Sequence, residues 1–214
     1  MSDMFVCWSS KGGSGTTVVS AALALVAAQP HRSLLVDLHG DLPAALGMAE
    51  PAGPGVGDWL ASPVADAAAL LGLAVPVCDG LDLLPAGCPA HAVTDARWSA
   101  LAEALRHADG QVVVDAGTGA PPPALLAAGA RSLLVIRPCY LSIRSTLPVT
   151  ARVDGVVLVV EPGRALGRRD VEHAVGAPVV AEVPYDPAVG RAVDAGLLST
   201  RLPRSLSHSL RLAA

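Results

Sequence analysis

The stretch SSKGGSGTTVVS, residues 9–20, decides the fold because it joins a glycine-rich turn to the start of an apolar helix. It directly follows MFVCW (4–8), an apolar run that predicts a buried strand. A strand, a glycine-rich loop and a helix in this order are typical of a phosphate-binding loop. The usual motif, G-x-x-x-x-G-K-[ST], has its lysine next to last. Here Thr16 occupies that position, and Lys11 lies five residues earlier.

The glycines of this loop indicate how it would hold a phosphate. Glycine tolerates positive φ and lets a ligand approach the backbone closely. The N–H groups of residues 13–17 can then converge on an anion at the positive end of the helix dipole. The predicted cofactor-binding residues are Gly12, Gly13, Ser14, Gly15, Thr16 and Thr17. Thr17 also takes the hydroxyl position that binds Mg²⁺ in such loops. The alternative is a glycine-rich turn that only packs.

The use of basic residues in this chain singles out Lys11. Fourteen of the fifteen basic side chains are arginine, and Lys11 is the only lysine. An ammonium is a compact, flexible point charge, whereas a guanidinium is a wide planar fork. A narrow phosphate pocket requires the former, so the sequence favours a role for Lys11 at the phosphate.

Apolar runs without polar alternation recur along the chain and predict strands that are covered on both faces. The predicted strands are 4–8, 33–38, 81–86, 111–116, 132–138, 155–161 and 178–184. The predicted helices between them are 16–28, 94–108, 121–129, 168–175 and 187–196. Alternating strands and helices with short loops predict a parallel sheet with right-handed crossovers. We therefore expect one α/β domain over residues 1–214, with three layers and a mostly parallel, doubly wound sheet of about seven strands.

The composition indicates where the protein is located and which kinds of partner it can bind. The formal net charge of -4 argues against nonspecific nucleic-acid binding, which needs a basic field. The four cysteines are scattered and form no CxxC pair, so reduced thiols are favoured over a metal site. The longest apolar run is shorter than the roughly 20 residues that span a bilayer. We expect a cytoplasmic protein with no signal peptide.

The sequence KGGSGTT resembles the deviant Walker A motif, KGGxGKT, of the MinD/ParA ATPases. In that family the early lysine reaches across a dimer interface to the partner's nucleotide, and this position is Lys11. The family's second lysine falls on Thr16 and is absent. A small residue there is also found in the CpaE/TadZ branch, which positions pilus and secretion machinery.

The resemblance covers most of the chain and extends to acidic residues. SLLVDLHGDLPAALG (33–47) resembles the second strand of the family and the loop after it, in which Asp37 matches the first acidic position and His39 replaces the second. QVVVDAGTG (111–119) resembles the Walker B strand, with Asp115 as outer-sphere Mg²⁺ ligand. The resemblance thus implies Lys11 and Asp37 as catalytic residues, and Thr17, Asp37 and Asp115 as the metal site. An aspartate at a strand end also often caps the next turn.

The C-terminal half resembles the part of the family that frames the adenine. Two strand ends carry this function, and the matching residues here are Glu161, Pro162, Pro184 and Asp186. The family's asparagine at the first of these positions is absent. The implied cofactors are ATP or ADP with Mg²⁺.

The implied function is a homodimer that forms with ATP and acts as a switch. Weak or absent hydrolysis is expected, because Thr16 removes a cation and His39 removes an acidic group. The implied partner is an unidentified protein of a pilus, secretion or positioning system, in preference to DNA. Two alternatives stay open: a pseudo-ATPase scaffold without productive nucleotide binding, and a plasmid or chromosome partition ATPase.

The C-terminal segment STRLPRSLSHSLRLAA (199–214) predicts an amphipathic helix over 200–214. Its leucines recur every four residues among arginines, which is typical of a peripheral membrane anchor and equally of a last helix packed on its own domain. The packed arrangement is favoured, because Pro203 and the few bulky side chains weaken the membrane interpretation. A second basic stretch, GRALGRR (163–169), could contact DNA but more often forms a solvated face.

Overall fold

The computed structural model describes residues 3–29 and 31–211 as an α/β structure with one eight-stranded sheet. The strands are β1 (Met4–Ser9), β2 (Ser33–Asp37), β3 (Val75–Cys78), β4 (Leu81–Leu84), β5 (Gln111–Thr118), β6 (Arg131–Ile136), β7 (Gly155–Val160) and β8 (Val179–Pro184). The helices are α1 (Thr16–Ala27), α2 (Leu42–Leu46), α3 (Val56–Ala61), α4 (Ala67–Leu71), α5 (Asp95–Arg106), α6 (Pro123–Ala127), α7 (Tyr140–Thr146), α8 (Arg168–Val175), α9 (Pro187–Asp194) and α10 (Arg204–Leu210).

The strand order places the glycine-rich loop near the middle of the sheet. The order is β3-β4-β2-β5-β1-β6-β7-β8, and every pair is parallel except β3 with β4. From β1 the chain runs to β2 on one side, and later to β6, β7 and β8 on the other. Loops at the carboxyl ends of parallel strands share one edge of the sheet, where open α/β folds bind ligands. The predicted doubly wound fold is confirmed.

The strand β3 was not predicted, and it accounts for the eighth strand. It lies at the edge of the sheet, contains Pro76 and alternates between partly buried and exposed residues. Proline is tolerated at an edge because its missing N–H need not join a ladder. In the sequence, Pro76 interrupts the short apolar run LAVPVC (73–78) that contains this strand.

Four short helices were also not predicted with these bounds: α2, α3, α4 and α7. Each has five to seven residues, which is too short to show a helical period. The helix α3 lies within the proline- and glycine-rich segment 51–63, which is typical of a loop-rich connection followed by a weak apolar helix. The helix α7 matters for the site, because it follows β6 at the edge where the loops meet.

The core covers both faces of the sheet. Val6 and Trp8 of β1 face one layer, while Phe5 and Cys7 face the layer that contains α1. The Trp8 Nε1 donates a hydrogen bond to Ser132 Oγ at 2.9 Å, so this fully buried indole leaves no unpaired donor. Burial raises the pKa of the Cys7 thiol to about 12, and the group behaves as a small apolar side chain.

The C-terminal helix α10 packs on its own domain. Leu206 and Leu210 are buried against the layer of α1 and β8, and Leu202 is partly buried there. These leucines are therefore turned away from any membrane surface in this structure. Residues 212–214 of the predicted 200–214 helix lie outside the described residues. Within 3–29 and 31–211, no helix has the length and apolarity needed to cross a bilayer.

Candidate functional site

The glycine-rich loop is held open by hydrogen bonds at its base. The Lys11 carbonyl accepts hydrogen bonds from the hydroxyls of Ser9 at 3.1 Å and Ser14 at 2.8 Å. Gly13 and Gly15 have φ of 78° and 92°, which strongly favours glycine at both positions. A Cβ built on either glycine meets no atom within 4 Å, so the space above the loop is free. The loop is a preformed concavity and not a packed turn.

The first turn of α1 opens into this concavity. Gly15 is its N-cap residue and provides no side-chain hydrogen bond to the first N–H groups. These groups have no partner within the helix, and together with the helix dipole they favour an anion. Thr16 is buried at this point, and Thr17 is partly exposed. The loop can therefore bind a phosphate through its backbone without a lysine at position 16.

Lys11 is exposed at the entrance of the loop. Its Nζ lies 3.4 Å from the carbonyl oxygen of Gly12, and it forms no ion pair within the described part of the chain. The residue before it is anchored to α7, because Ser10 Oγ lies 2.9 Å from Ser145 Oγ and 2.7 Å from Thr146 Oγ1. The backbone of Lys11 is thus fixed on both sides, while its ammonium is free to meet a ligand.

Asp37 and Asp115 lie side by side at the carboxyl edge of the sheet, as partners in the register of β2 and β5. Asp37 is fully buried and accepts three backbone hydrogen bonds, from His39 at 2.9 Å, Gly40 at 2.7 Å and Leu42 at 3.1 Å. These bonds shape the turn into α2. Asp37 therefore has a capping role in the structure, beside the metal and catalytic roles that the resemblance implies.

Asp115 has one oxygen that the fold does not satisfy. Its Oδ1 accepts a hydrogen bond from the Gly117 N–H at 3.1 Å, whereas Oδ2 is buried with no hydrogen-bond partner. Burial raises the pKa of this carboxyl, against a smaller lowering by the nearby Thr17 hydroxyl. An orphaned carboxylate oxygen beside a threonine hydroxyl fits a hydrated Mg²⁺, which keeps several of its waters and takes few protein ligands. The structure brings Thr17 and Asp115 close to each other.

This orphaned oxygen predicts the effect of Asp115→Asn on stability. Because burial raises the pKa of Asp115, the folded state binds this proton more tightly than the unfolded state, and the ionised form destabilises the fold. The amide removes that charge, so we expect the free energy of unfolding to rise by about 1 kcal/mol at pH 7–8. The gain should shrink as the pH falls toward the ordinary aspartate pKa of about 4. Urea unfolding across pH 5–8 checks this, with the exposed Asp109→Asn as control, and a loss of stability at pH 8 would contradict it.

His39 and Asp41 follow Asp37 in the same turn and are both exposed. The His39 ring packs against the backbone of Gly117, so closely that a Cβ on that glycine would lie about 2.5 Å from the ring. This contact joins the loops after β2 and β5. Asp41 is the N-cap residue of α2 but makes no capping hydrogen bond with its side chain.

A cavity of about 440 Å³ adjoins the loop on the side of β8. Ser14 and Gly15 of the loop border it, together with Pro184 and Asp186. Pro184 and Asp186 are two of the four predicted adenine-site residues, and they face the same cavity as the loop. The Asp186 carboxylate accepts hydrogen bonds from the Ala188 N–H at 2.8 Å and the Ser205 hydroxyl at 2.9 Å, which fixes α9 and α10 beside the cavity.

Glu161 and Pro162, the other two, do not border this cavity. Glu161 instead pairs with Arg137 at 2.8 Å and with Arg164. The sequence analysis missed Arg137 and Tyr185, which do border it. Both directly follow strands, Arg137 after β6 and Tyr185 after β8, so the strand-end rule could have found them.

Comparison with solved structures agrees with the geometry, although no family model and no curated protein sequence matches the chain. A MinD protein from Pyrococcus horikoshii in complex with Mg-ADP superposes with a TM-score of 0.77 at 18% identity, covering 100% of this chain and 95% of that one. A ParA family ATPase from Chlorobium tepidum gives 0.76 at 20% identity, covering 98% and 97%. The chain has the MinD/ParA fold. MinD from Pyrococcus furiosus gives 0.76 at 21% identity with both chains covered completely, so the MinD/ParA fold spans the whole chain.

Proposed function

We propose that this protein is an ATP-binding, nucleotide-dependent dimerisation switch of the MinD/ParA type, with weak or absent ATP hydrolysis. One observation carries the proposal. A preformed phosphate loop keeps the only lysine of the chain at its entrance, exposed and without an ion pair in the described residues. The unpartnered Asp115 Oδ2 and the nearby Thr17 hydroxyl support the proposal, as the side chains that would hold Mg²⁺.

Structures with the same fold support nucleotide binding. The Pyrococcus horikoshii MinD was solved with Mg-ADP, and a Cyanothece McdA variant, with a TM-score of 0.68 at 16% identity, was solved with ATP. In this chain, the backbone N–H groups of residues 13–17 would hold the phosphates, and the cavity toward Pro184 and Asp186 would hold the nucleoside. Mg²⁺ would supply charge neutralisation between the phosphates and the pair of Thr17 and Asp115.

Slow turnover follows from the residues at two positions. Phosphoryl transfer depends on positioning and on electrostatic stabilisation of the transferred group. Thr16 offers a backbone N–H but no cation, and His39 stands where the family has its second acidic residue. Loss of one preorganised hydrogen-bond donor at a transition state lowers rates by about 10²–10³, and loss of a cation acts in the same direction. These changes can therefore slow ATP hydrolysis and still allow ATP to bind.

The switch follows from the position of Lys11. Its backbone is anchored, so the ammonium can move only as far as its side chain extends. Across a two-fold axis, each Lys11 would meet the triphosphate of the partner subunit, as in the family that the motif resembles. A triphosphate then stabilises the dimer, because in the monomer no lysine from a partner subunit contacts the bound triphosphate.

As cellular role we propose the positioning of an assembly, with pilus or secretion machinery ahead of DNA. The small residue at position 16 and the net charge of -4 support this preference. In the basic stretch 163–169, Arg164 and Arg168 pair with glutamates, so they are poorly placed to contact DNA phosphates. The partner is an unidentified protein, and the proposed location is the cytoplasm, with a peripheral membrane contact only if α10 detaches.

Two measurements test the proposal: light scattering gives the molar mass with and without nucleotide, and a phosphate-release assay gives the rate of ATP hydrolysis. We expect a monomer without nucleotide or with ADP, and a dimer with ATP and Mg²⁺, at a turnover far below that of an active ATPase. A mass that does not change with ATP would contradict the switch. Turnover that rises on addition of DNA would favour the partition ATPase instead.

The pseudo-ATPase scaffold is the second candidate, because Thr16 and His39 remove two groups that serve hydrolysis. The two candidates differ in nucleotide uptake. Calorimetry with ATP and Mg²⁺ would show binding in the switch and none in the scaffold.

The substitution Thr16→Lys should restore the positive charge that the loop lacks at position 16. Thr16 is buried at the start of α1, so a lysine there must extend along the loop toward the phosphates. We expect ATP hydrolysis to increase roughly tenfold or more, or ATP to bind more tightly by a similar factor. Thr16→Met adds comparable length without charge and serves as the control. If neither hydrolysis nor ATP affinity increases, the missing charge at position 16 is not the only difference between this loop and the loop of an active ATPase.

A further inference from the structure

Tyr185 is a large aromatic residue that stays open to solvent at the cavity beside the phosphate loop. It directly follows β8, borders the cavity of about 440 Å³ and is 52% exposed. Its backbone N–H donates a hydrogen bond to the Val160 carbonyl at 2.7 Å, and Pro184 and Pro187 restrict the chain around it. The backbone that carries this ring is therefore fixed, while half of the residue remains accessible to a ligand.

The ring of Tyr185 is also oriented by a neighbouring cation. The Arg137 guanidinium lies over the ring, 5.6 Å from its centroid. Arg137 in turn donates a hydrogen bond from Nη1 to Glu161 Oε1 at 2.8 Å, which fixes the guanidinium. A cation at this distance from an aromatic face stabilises the arrangement. Because the ring is ordered in advance, a ligand that stacks on it loses less of its binding free energy to ordering the site.

The place of Tyr185 in the sheet corresponds to the base of a nucleotide and not to its phosphates. The phosphate loop follows β1, and β8 is the third strand from β1 in the order β1-β6-β7-β8. Neighbouring strands are about 4.8 Å apart, so the ends of β1 and β8 are separated by about 14 Å. Gly15 of the loop and Tyr185 nevertheless border one cavity, which the apolar Val159 and Val183 also line. A nucleotide with its phosphates in the loop would therefore extend its base toward Tyr185.

The polar side chains around this cavity are poorly placed to read the edge of a base. Glu161 does not border the cavity, and both of its carboxylate oxygens pair with arginines. Both oxygens of Asp186 accept hydrogen bonds within the fold. Arg191 and Asp194 border the cavity but are exposed. An exposed group exchanges a hydrogen bond to water for one to the ligand, so it discriminates only weakly between bases.

We infer that Tyr185 is the stacking platform for the base of the bound nucleotide, and that the site accepts adenine, guanine and hypoxanthine alike. Stacking tolerates all three because every base has a π-face. Strong discrimination would require buried polar groups that the wrong base leaves unpaired. The inference rests on the proposed nucleotide-binding function and widens its ligand from ATP to purine nucleoside triphosphates. GTP and ITP then drive the same switch as ATP, because all three present the same triphosphate to Lys11.

Calorimetry with ADP, GDP and IDP in the presence of Mg²⁺ tests this inference without hydrolysis. We expect the three Kd values of the wild-type chain to agree within about fivefold. Tyr185→Ala should weaken the binding of all three by about 10- to 100-fold, the scale of one lost stacking contact, whereas Tyr185→Phe should retain it. Pyrophosphate has no base, so it should bind Tyr185→Ala as it binds the wild type.

Tyr140→Ala is the matched control. Tyr140 is the only other tyrosine of the chain, is 67% exposed and does not border the cavity. The variant should bind all three nucleotides like the wild type, and a loss as large as that of Tyr185→Ala would overturn the specific role of Tyr185.

The outcomes separate this inference from the proposed function. A wild-type difference between ADP and the other two nucleotides larger than about fivefold, in either direction, would overturn the base tolerance and leave the switch standing. Unchanged ADP affinity in Tyr185→Ala, or an equal loss for pyrophosphate, would overturn the stacking platform. If none of the three nucleotides binds the wild-type chain, both proposals fail. The wild-type comparison needs no variant, so poor folding of Tyr185→Ala would leave the test of base tolerance intact.

Discussion

Replacing Lys11 with alanine should leave the protein monomeric with ATP and Mg²⁺ under conditions in which the wild type dimerises. Among the described residues, the only hydrogen bond of the Lys11 side chain is the 3.4 Å approach of Nζ to the Gly12 carbonyl, so the substitution removes a charge without disturbing the fold. Truncating one partner of a desolvated charge pair weakens an interface by about 2–5 kcal/mol, and a symmetric dimer loses two such contacts. We therefore expect the dimer Kd to rise by about a thousandfold or more. Light scattering over a protein concentration series measures this.

Two further variants sharpen the test of Lys11. Arg169→Ala removes the same charge from an exposed site without an ion pair in the described residues, and it should dimerise like the wild type. Lys11→Arg keeps the charge on a wider group and should recover only part of the dimer. A dimer of Lys11→Ala as stable as the wild type would refute the role proposed for the lysine.

Replacing Asp37 with alanine should destabilise the fold by about 3 kcal/mol or more. The fully buried carboxylate accepts three backbone N–H groups, and alanine leaves all three without that partner. Each buried donor left unpaired costs about 1–3 kcal/mol, although water entering the turn can satisfy some of them. The midpoint of urea unfolding measures the change.

Asp41→Ala is the matched control, because Asp41 is exposed in the same turn and makes no capping hydrogen bond. It should change the free energy of unfolding by no more than about 0.5 kcal/mol. If Asp37→Ala is equally mild but abolishes the binding of ATP and Mg²⁺, Asp37 serves the nucleotide and not the turn. A loss of activity that accompanies a large loss of stability would be attributed to collapse of the turn.

The sequence predicted the parts of the fold that have a strong local signal. The glycines, Thr17 and the apolar run of β1 defined the loop, because few other structures need that combination. Seven strands were found because most of them are buried on both faces and nearly free of polar residues, and because the partly exposed β8 still carries an apolar run at its start. The strand β3 is half exposed at the edge, and its Pro76 argued against a strand, so its pattern resembled a loop.

The candidate site was predicted less completely, because it depends on neighbours that are distant in sequence. The register of β2 with β5 that places Asp37 beside Asp115 can be inferred from parallel strand ends. The tether between Ser10 and the hydroxyls of α7 cannot, since it joins residues more than 130 positions apart. Arg137 directly follows β6, so the strand-end rule could have found it, but its pairing with Glu161 and its contact with Tyr185 depend on the fold.

That the only lysine is also exposed has a practical consequence for spectroscopy. An amine-reactive fluorophore would modify this one side chain, apart from the terminal amine, and so report from the rim of the loop without any engineered cysteine. Its emission would change when a nucleotide or a second subunit displaces the surrounding water. The extent of labelling by the same reagent would report nucleotide binding, since an amine that is in contact with phosphate is shielded from acylation.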